Sequence, residues 1–153
     1  MSIRIDQLRK GDAPAWERMR RQLGPEWFSD RFETVVAEYL ERGTIEHLRH
    51  VVLLARDAPG EPIGFAEVSL RDFAEGCSSS PVGYLEGWFV EASARGLGVG
   101  RQLVSAAEAW AREQGCLEFG SDAETDNAGS IAAHARLGFE EVCEIKCFRK
   151  PLS

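Results

Sequence analysis

Along the chain, the spacing of apolar residues changes period several times, and each change marks an element. Ile3 and Ile5 alternate with polar neighbours, the period of two expected of a half-buried strand. From Asp12, a candidate N-cap with Pro14 in the first turn, Trp16, Met19 and Leu23 recur at helical spacing until Gly24-Pro25 stops them. A second helix is predicted from Ser29 or Asp30 to about Arg42, with Phe32, Val35, Val36, Tyr39 and Leu40 as its apolar stripe and Gly43 as its C-cap. Residues 51–56 and 63–71 read as a hairpin around a Pro/Gly turn, and 82–91 as the next strand after a loop. A glycine-rich loop follows. A helix then runs to about Gln114 with Val99, Leu103, Ala107 and Trp110 on one face, and Gly115 ends it. Residues 117–121 are a short strand, 127–138 a helix ended by Gly138, and 139–150 a last strand.

The predicted order is β-α-α-β-β-β-α-β-α-β, an α/β (α+β) arrangement of one mixed sheet with helices on its faces. The strands at 82–91 and 117–121 flank a helix, so they should be parallel. No linker or repeat interrupts the pattern, and residues 1–153 are expected to form a single domain.

Charge narrows the function. The chain carries a net charge of −7, with no basic stripe to pair with phosphates, so nucleic acid is not an expected partner. An acidic surface favours a cationic one. No stretch is apolar enough to span a membrane, and "MSIRIDQLRKGD" lacks a secretory h-region, so the cytoplasm is the expected compartment. Cys77, Cys116, Cys143 and Cys147 form no C-x-x-C pair and no cluster with the histidines. A metal site is therefore not expected, and the thiols are predicted to be reduced and buried, Cys143 and Cys147 sharing one face of the last strand.

The chemistry concentrates at "SARGLGVGRQLV", residues 93–104, where Gly96, Gly98 and Gly100 lie between a strand and a helix. At a helix N-terminus the backbone N–H groups lack intrahelical partners and the helix dipole favours an anion. Glycines let that backbone approach a ligand closely; a tight turn needing positive φ is the alternative reading. The loop lacks the Gly-Lys-Ser/Thr ending of a nucleotide-hydrolysing P-loop, and its G-x-G-x-G spacing is not the dinucleotide fingerprint.

"R-G-L-G-V-G" resembles the loop with which the GNAT acyltransferase superfamily cradles the pyrophosphate of acetyl-CoA. "Asn127…His134…LGF" keeps that family's spacing, with His134 where tyrosine is usual. "GCSSSPVGYLEGWFV", "SD" at 121–122, "LGFEE" and "FRK" are similar to the aminoglycoside 6′-N-acetyltransferases, in their subgroup of small, dimeric, single-domain enzymes. The resemblance implies a GNAT fold, acetyl-CoA as co-substrate, a cationic aminoglycoside as acceptor and a homodimer. It implies that Trp88, Phe89, Val90, Arg95, Gly96, Leu97, Gly98, Val99, Gly100, Asn127 and His134 bind the cofactor. It also implies that Glu86 and Asp122 are the catalytic carboxylates and that Phe73, Glu86 and Asp122 contact substrate.

The residues themselves bear on those roles. A carboxylate such as Glu86 inside an apolar strand is costly unless it is paired or at a site. Strict alternation would put Tyr84, Glu86, Trp88 and Val90 on one face. Asp122 also reads as a helix-entry residue, Asn127 as an N-cap, and His134 as a packed surface histidine. Three positions depart from similar enzymes: Gly24 where tryptophan is common, Phe73 where an aromatic hydroxyl is, and Cys143 where an acid can stand. Two rival readings are a GNAT enzyme acting on another polyamine, metabolite amine or peptide N-terminus, and a non-catalytic acyl-CoA-binding protein.

Overall fold

A computed structural model describes residues 2–24 and 31–153, which form two compact units, 1–122 and 123–153. In the first, six strands make one sheet: β1 (Arg4–Gln7), β2 (Thr44–Ile45), β3 (Leu48–Arg56), β4 (Pro62–Arg71), β5 (Val82–Val90) and β6 (Phe119–Ser121). The order is β1-β3-β4-β5-β6, with β2 paired to β3. Neighbours are antiparallel except β5 and β6, which are parallel as the intervening helix requires.

Helices cover both faces. On one, α1 (Ala13–Leu23) and α2 (Phe32–Arg42) bury Trp16, Met19, Phe32 and Tyr39 against Val52, Leu54, Phe65 and Phe89. Trp16 stands edge-on to both Phe32 and Tyr39, and the Tyr39 hydroxyl accepts from the Val52 N–H at 2.9 Å. On the other face lies α3 (Val99–Glu113), whose buried stripe includes Leu103, Val104, Ala107 and Ala111. Gly64 and Gly83 of the sheet face it so closely that an added Cβ would meet Leu103 at 3.2 Å and Ala111 at 2.6 Å.

The expected start of α2 at Ser29 or Asp30 lies outside the described residues; its end at a left-handed Gly43 is as expected. The hairpin of β2 with β3 was not expected. Glu46 and His47 turn it with positive φ, held by Glu38, which accepts from both of their N–H groups. Neither residue is a glycine or asparagine, so composition gave no turn signal.

In the second unit, α4 spans Ala128–Arg136, and the side chain of Asn127 caps it by accepting from the Ser130 N–H at 3.1 Å. No residue of this unit is buried. The last strand expected over 139–150 is not formed: these residues are irregular, and Val142, Ile145 and Phe148 are exposed. Cys143 and Cys147 are accordingly exposed rather than buried, whereas Cys116 is buried in the first unit. An alternating pattern needs a partner strand to bury one face, and the segment has none within its own unit. Among the described residues no helix is long and apolar enough to cross a membrane, and no group of three or more His, Cys, Asp or Glu side chains could hold a metal ion.

Candidate active site

Glu86 and Asp122 lie where β5 and β6 part. The two strands pair only from Gly83–Phe119 to Leu85–Ser121, so beyond Leu85 the edge of β5 is no longer bonded to β6. On its other edge β5 is bulged. Glu67 of β4 faces Gly87 and Val68 faces Leu85, which leaves Glu86 between them without a partner in register.

The bulge re-aims the side chains. Tyr84 lies opposite Ser69, and Glu86 bonds both Ser69 and Arg71, so Tyr84 and Glu86 project on the α1–α2 side. Trp88 pairs with Ala66 on the opposite face and lies against α3, where a Cβ on Gly100 would meet its Nε1 at 3.1 Å. The single face expected for Tyr84, Glu86, Trp88 and Val90 is thus split in two, because an extra residue reverses the alternation.

Glu86 is the hub of a polar cluster. Its Oε1 accepts from the Ser69 hydroxyl at 3.3 Å and from Arg71 Nε at 2.9 Å, and its Oε2 accepts from Arg71 Nη2 at 2.8 Å. Arg71 Nη2 also reaches Oε1. The guanidinium carbon of Arg71 lies 3.6 Å from the centroid of the Tyr84 ring, a cation–π stack. The Tyr84 hydroxyl in turn donates to Asp122 Oδ2 at 2.6 Å. Burial, together with the bond and charge of Asp122, pushes the Tyr84 hydroxyl well above its usual value, so it stays protonated and donating. Burial opposes the charge on Arg71, but the bonds and charge of Glu86, with Asp122 nearby, outweigh it and raise Arg71 further.

Glu86 and Asp122 are therefore brought together, bridged by two residues the sequence reading missed, Arg71 and Tyr84. A signal for Arg71 existed: it ends β4 two residues beyond Ser69, on the face of Glu67. The ten-residue connection from 72 to 81 hid the register that sets it beside Glu86. Phe73, second in that connection, has its ring exposed. Farther along, the loop is pinned to the lead into β6 by Glu118, which accepts from the N–H groups of Ser78 and Ser79 at 2.8 Å each.

The glycine loop sits at the other end of β5. Gly96 and Gly98 have φ of +79° and +81°, and a Cβ built on either would meet nothing within 4 Å. Gly98 is the N-cap of α3, and the first backbone bond of that helix runs from Gln102 N–H to the Gly98 carbonyl. The N–H groups ahead of it have no carbonyl in the helix to bond. Open space over a helix N-terminus can admit a polyanion. The glycines divide the work: positive φ at Gly96 and Gly98 makes the turn, while Gly100 gives room to Trp88.

Around the loop, Leu97 is half-exposed and the Val99 side chain is buried, so Val99 offers only backbone to a ligand. Arg95 donates from Nε to the Val90 carbonyl at 2.9 Å, and the Phe89 side chain lies in the core against Phe65. Asn127 and His134 belong to the second unit. There His134 Nδ1 lies 2.7 Å from the Ser130 carbonyl and its ring is edge-on to Phe139.

Comparison with known proteins places this geometry. Residues 16–139 match the Acetyltransferase (GNAT) family. The aminoglycoside N(6′)-acetyltransferase type 1 of Klebsiella aerogenes is 45% identical over 141 residues, covering 92% of this chain and 91% of that one. Among solved structures, AAC(6′)-Iy in complex with the bisubstrate analogue CoA-S-monomethyl-acetylneamine superposes with a TM-score of 0.87 at 36% identity, covering 99% of both chains. AAC(6′)-Iy with CoA gives 0.86 at 37% identity, over 97% of this chain and 95% of that one.

Proposed function

The chain belongs to the acetyltransferase (GNAT) family, and from that premise we propose that it transfers the acetyl group of acetyl-CoA to the 6′-amine of an aminoglycoside. The observation that carries the acceptor is the Glu86–Asp122 pair at the parting of β5 and β6, two carboxylates bridged by Arg71 and Tyr84. Both carboxylates would hold ammonium groups, and Glu86 would take the proton through a water as the amine attacks. The relatives' names support the acceptor class.

Acetyl-CoA supplies the acyl group as a thioester. The loop fits its pyrophosphate, since Gly96 and Gly98 face open space at the N-terminus of α3. Backbone groups of Trp88, Phe89 and Val90, on the edge of β5 that β6 leaves, would hold the thioester arm and polarise its carbonyl. Arg95, Leu97, Val99 and Gly100 frame the loop, and Asn127 and His134 are assigned to the arm. Phe73 would give the acceptor an apolar contact.

We take residues 1–153 as one domain, because the family match runs across both units. A homodimer is the assembly we propose, since a second copy could cover Val142, Ile145 and Phe148. The cytoplasm, where acetyl-CoA is made available, is the proposed compartment, with neither nucleic acid nor membrane as a partner.

The experiment is thiol release from acetyl-CoA with a panel of amines. An aminoglycoside with a 6′-amine is expected to be acetylated, and its analogue with a 6′-hydroxyl is not. Equal turnover of both, or faster turnover of spermidine or a peptide N-terminus, would replace the acceptor. CoA binding without thiol release against any amine would make the chain a binding protein.

The loop has its own test. Gly98→Ala puts a Cβ into the open space and strains a left-handed backbone, at about 1–2 kcal/mol. Acetyl-CoA affinity, measured by calorimetry on folded protein, is expected to fall. Gly11→Ala, which also faces open space but has no positive φ, is the control and leaves it unchanged. Unaltered affinity in folded Gly98→Ala would remove the loop from the cofactor site.

A further inference from the structure

The carboxylate assigned to the substrate's ammonium already holds a cation. Among the described residues four hydrogen bonds reach Glu86, and three of them come from the Arg71 guanidinium. We infer that Arg71 is a displaceable counter-ion: its guanidinium rests in the subsite that a substrate ammonium takes, and it leaves when a polycationic acceptor binds. The inference rests on the proposed function and adds to it a residue that sets acceptor affinity.

Two cations cannot share this carboxylate cheaply. The Glu86 side chain is only 16% exposed, so charges beside it are less screened than at the open surface. Binding an ammonium to Glu86 with Arg71 in place would set like charges against each other in contact. Arg71, however, can move. It is the last residue of β4, its side chain is one-third exposed, and the connection from 72 to 81 begins beyond it. Its fixed partners besides Glu86 are the flat face of the Tyr84 ring and the charge of Asp122, contacts that tolerate sliding.

The charge count then shows which acceptors offset that cost. With Arg71 in place, the three ionised groups Glu86, Asp122 and Arg71 sum to −1; with Arg71 out, the site presents −2. One ammonium replaces Arg71 and leaves the sum where it was. Two ammonium groups on one rigid acceptor neutralise both carboxylates, so a polycation recovers what the displacement costs and a monoamine does not.

The test compares Arg71→Met, which keeps an unbranched stem over Tyr84 without the charge, with Arg71→Lys, which keeps the charge. In Arg71→Met the KM for the aminoglycoside is expected to fall about fivefold, the worth of a partly exposed ion pair, and to depend more steeply on salt. The KM for acetyl-CoA stays as in the parent, and Arg71→Lys, which keeps the charge but loses the two-pronged grip and the ring stack, gives an aminoglycoside KM between those of the parent and Arg71→Met. The displacement costs a monoamine and a polyamine alike, so the KM of both falls in Arg71→Met. A KM that is unchanged or raised there, with partial rescue in Arg71→Lys, would make Arg71 a fixed support of Glu86 and overturn the inference while leaving the proposed function standing. A parent inactive on every aminoglycoside would overturn both. If Arg71→Met does not fold, Arg71→Gln carries the same comparison.

Discussion

Glu86→Gln is expected to bind acetyl-CoA as the parent does and to acetylate an aminoglycoside about a hundredfold more slowly, the usual worth of a positioned base. The substitution keeps the shape of the side chain and its capacity to accept from Ser69, but it removes the charge that Arg71 pairs with at rest and that an ammonium would meet. Two effects therefore separate in the kinetics. Loss of the base lowers kcat and tilts the pH profile, so that activity recovers partly as rising pH supplies neutral amine. Loss of the charge raises KM by an amount that shrinks with added salt. Activity within a few-fold of the parent at neutral pH would remove the base role, and a KM unmoved at low salt would remove the binding one.

The sequence made the elements around Glu86 legible because their signals were local. A run of apolar residues around Glu86 marked β5, Gly115 marked the end of α3, and the helix between two strands required β5 and β6 to be parallel. The bulge had no such signal. A single extra residue on β5 depends on what faces it from β4, and only the pairing of Glu67 with Gly87 reveals it. That missed residue moved Trp88 to the opposite face from Glu86 and set Arg71 against the carboxylate. The C-terminal segment failed for a related reason. Its alternating residues announce a strand, but a strand exists only where a neighbour pairs with it, and 139–150 finds none within its own unit.

The same long-range logic hides a second charge cluster, which holds the site's scaffold. Glu67 is 1% exposed, directly across from Gly87 next to the bulge. Its carboxylate accepts from Trp16 Nε1 at 2.7 Å, from Arg20 Nε at 2.5 Å and from Arg20 Nη2 at 3.1 Å, tying α1 to the middle of β4. Arg20→Met is expected to destabilise the fold by about 3–5 kcal/mol, because it leaves a buried charge with a single neutral donor. In a domain of this size that corresponds to a fall in Tm on the order of 10 °C. Adding Glu67→Gln should recover most of it, since the amide oxygen still accepts from Trp16 and nothing charged remains buried. A double-mutant cycle by denaturant unfolding would then give a coupling of about 2 kcal/mol or more. Additive losses, or an Arg20→Met variant within 1 kcal/mol of the parent, would show that water or a neighbour compensates Glu67. Acetylation by whatever fraction remains folded should match the parent, since neither residue reaches the Glu86 cluster, and this separates the scaffold from the chemistry.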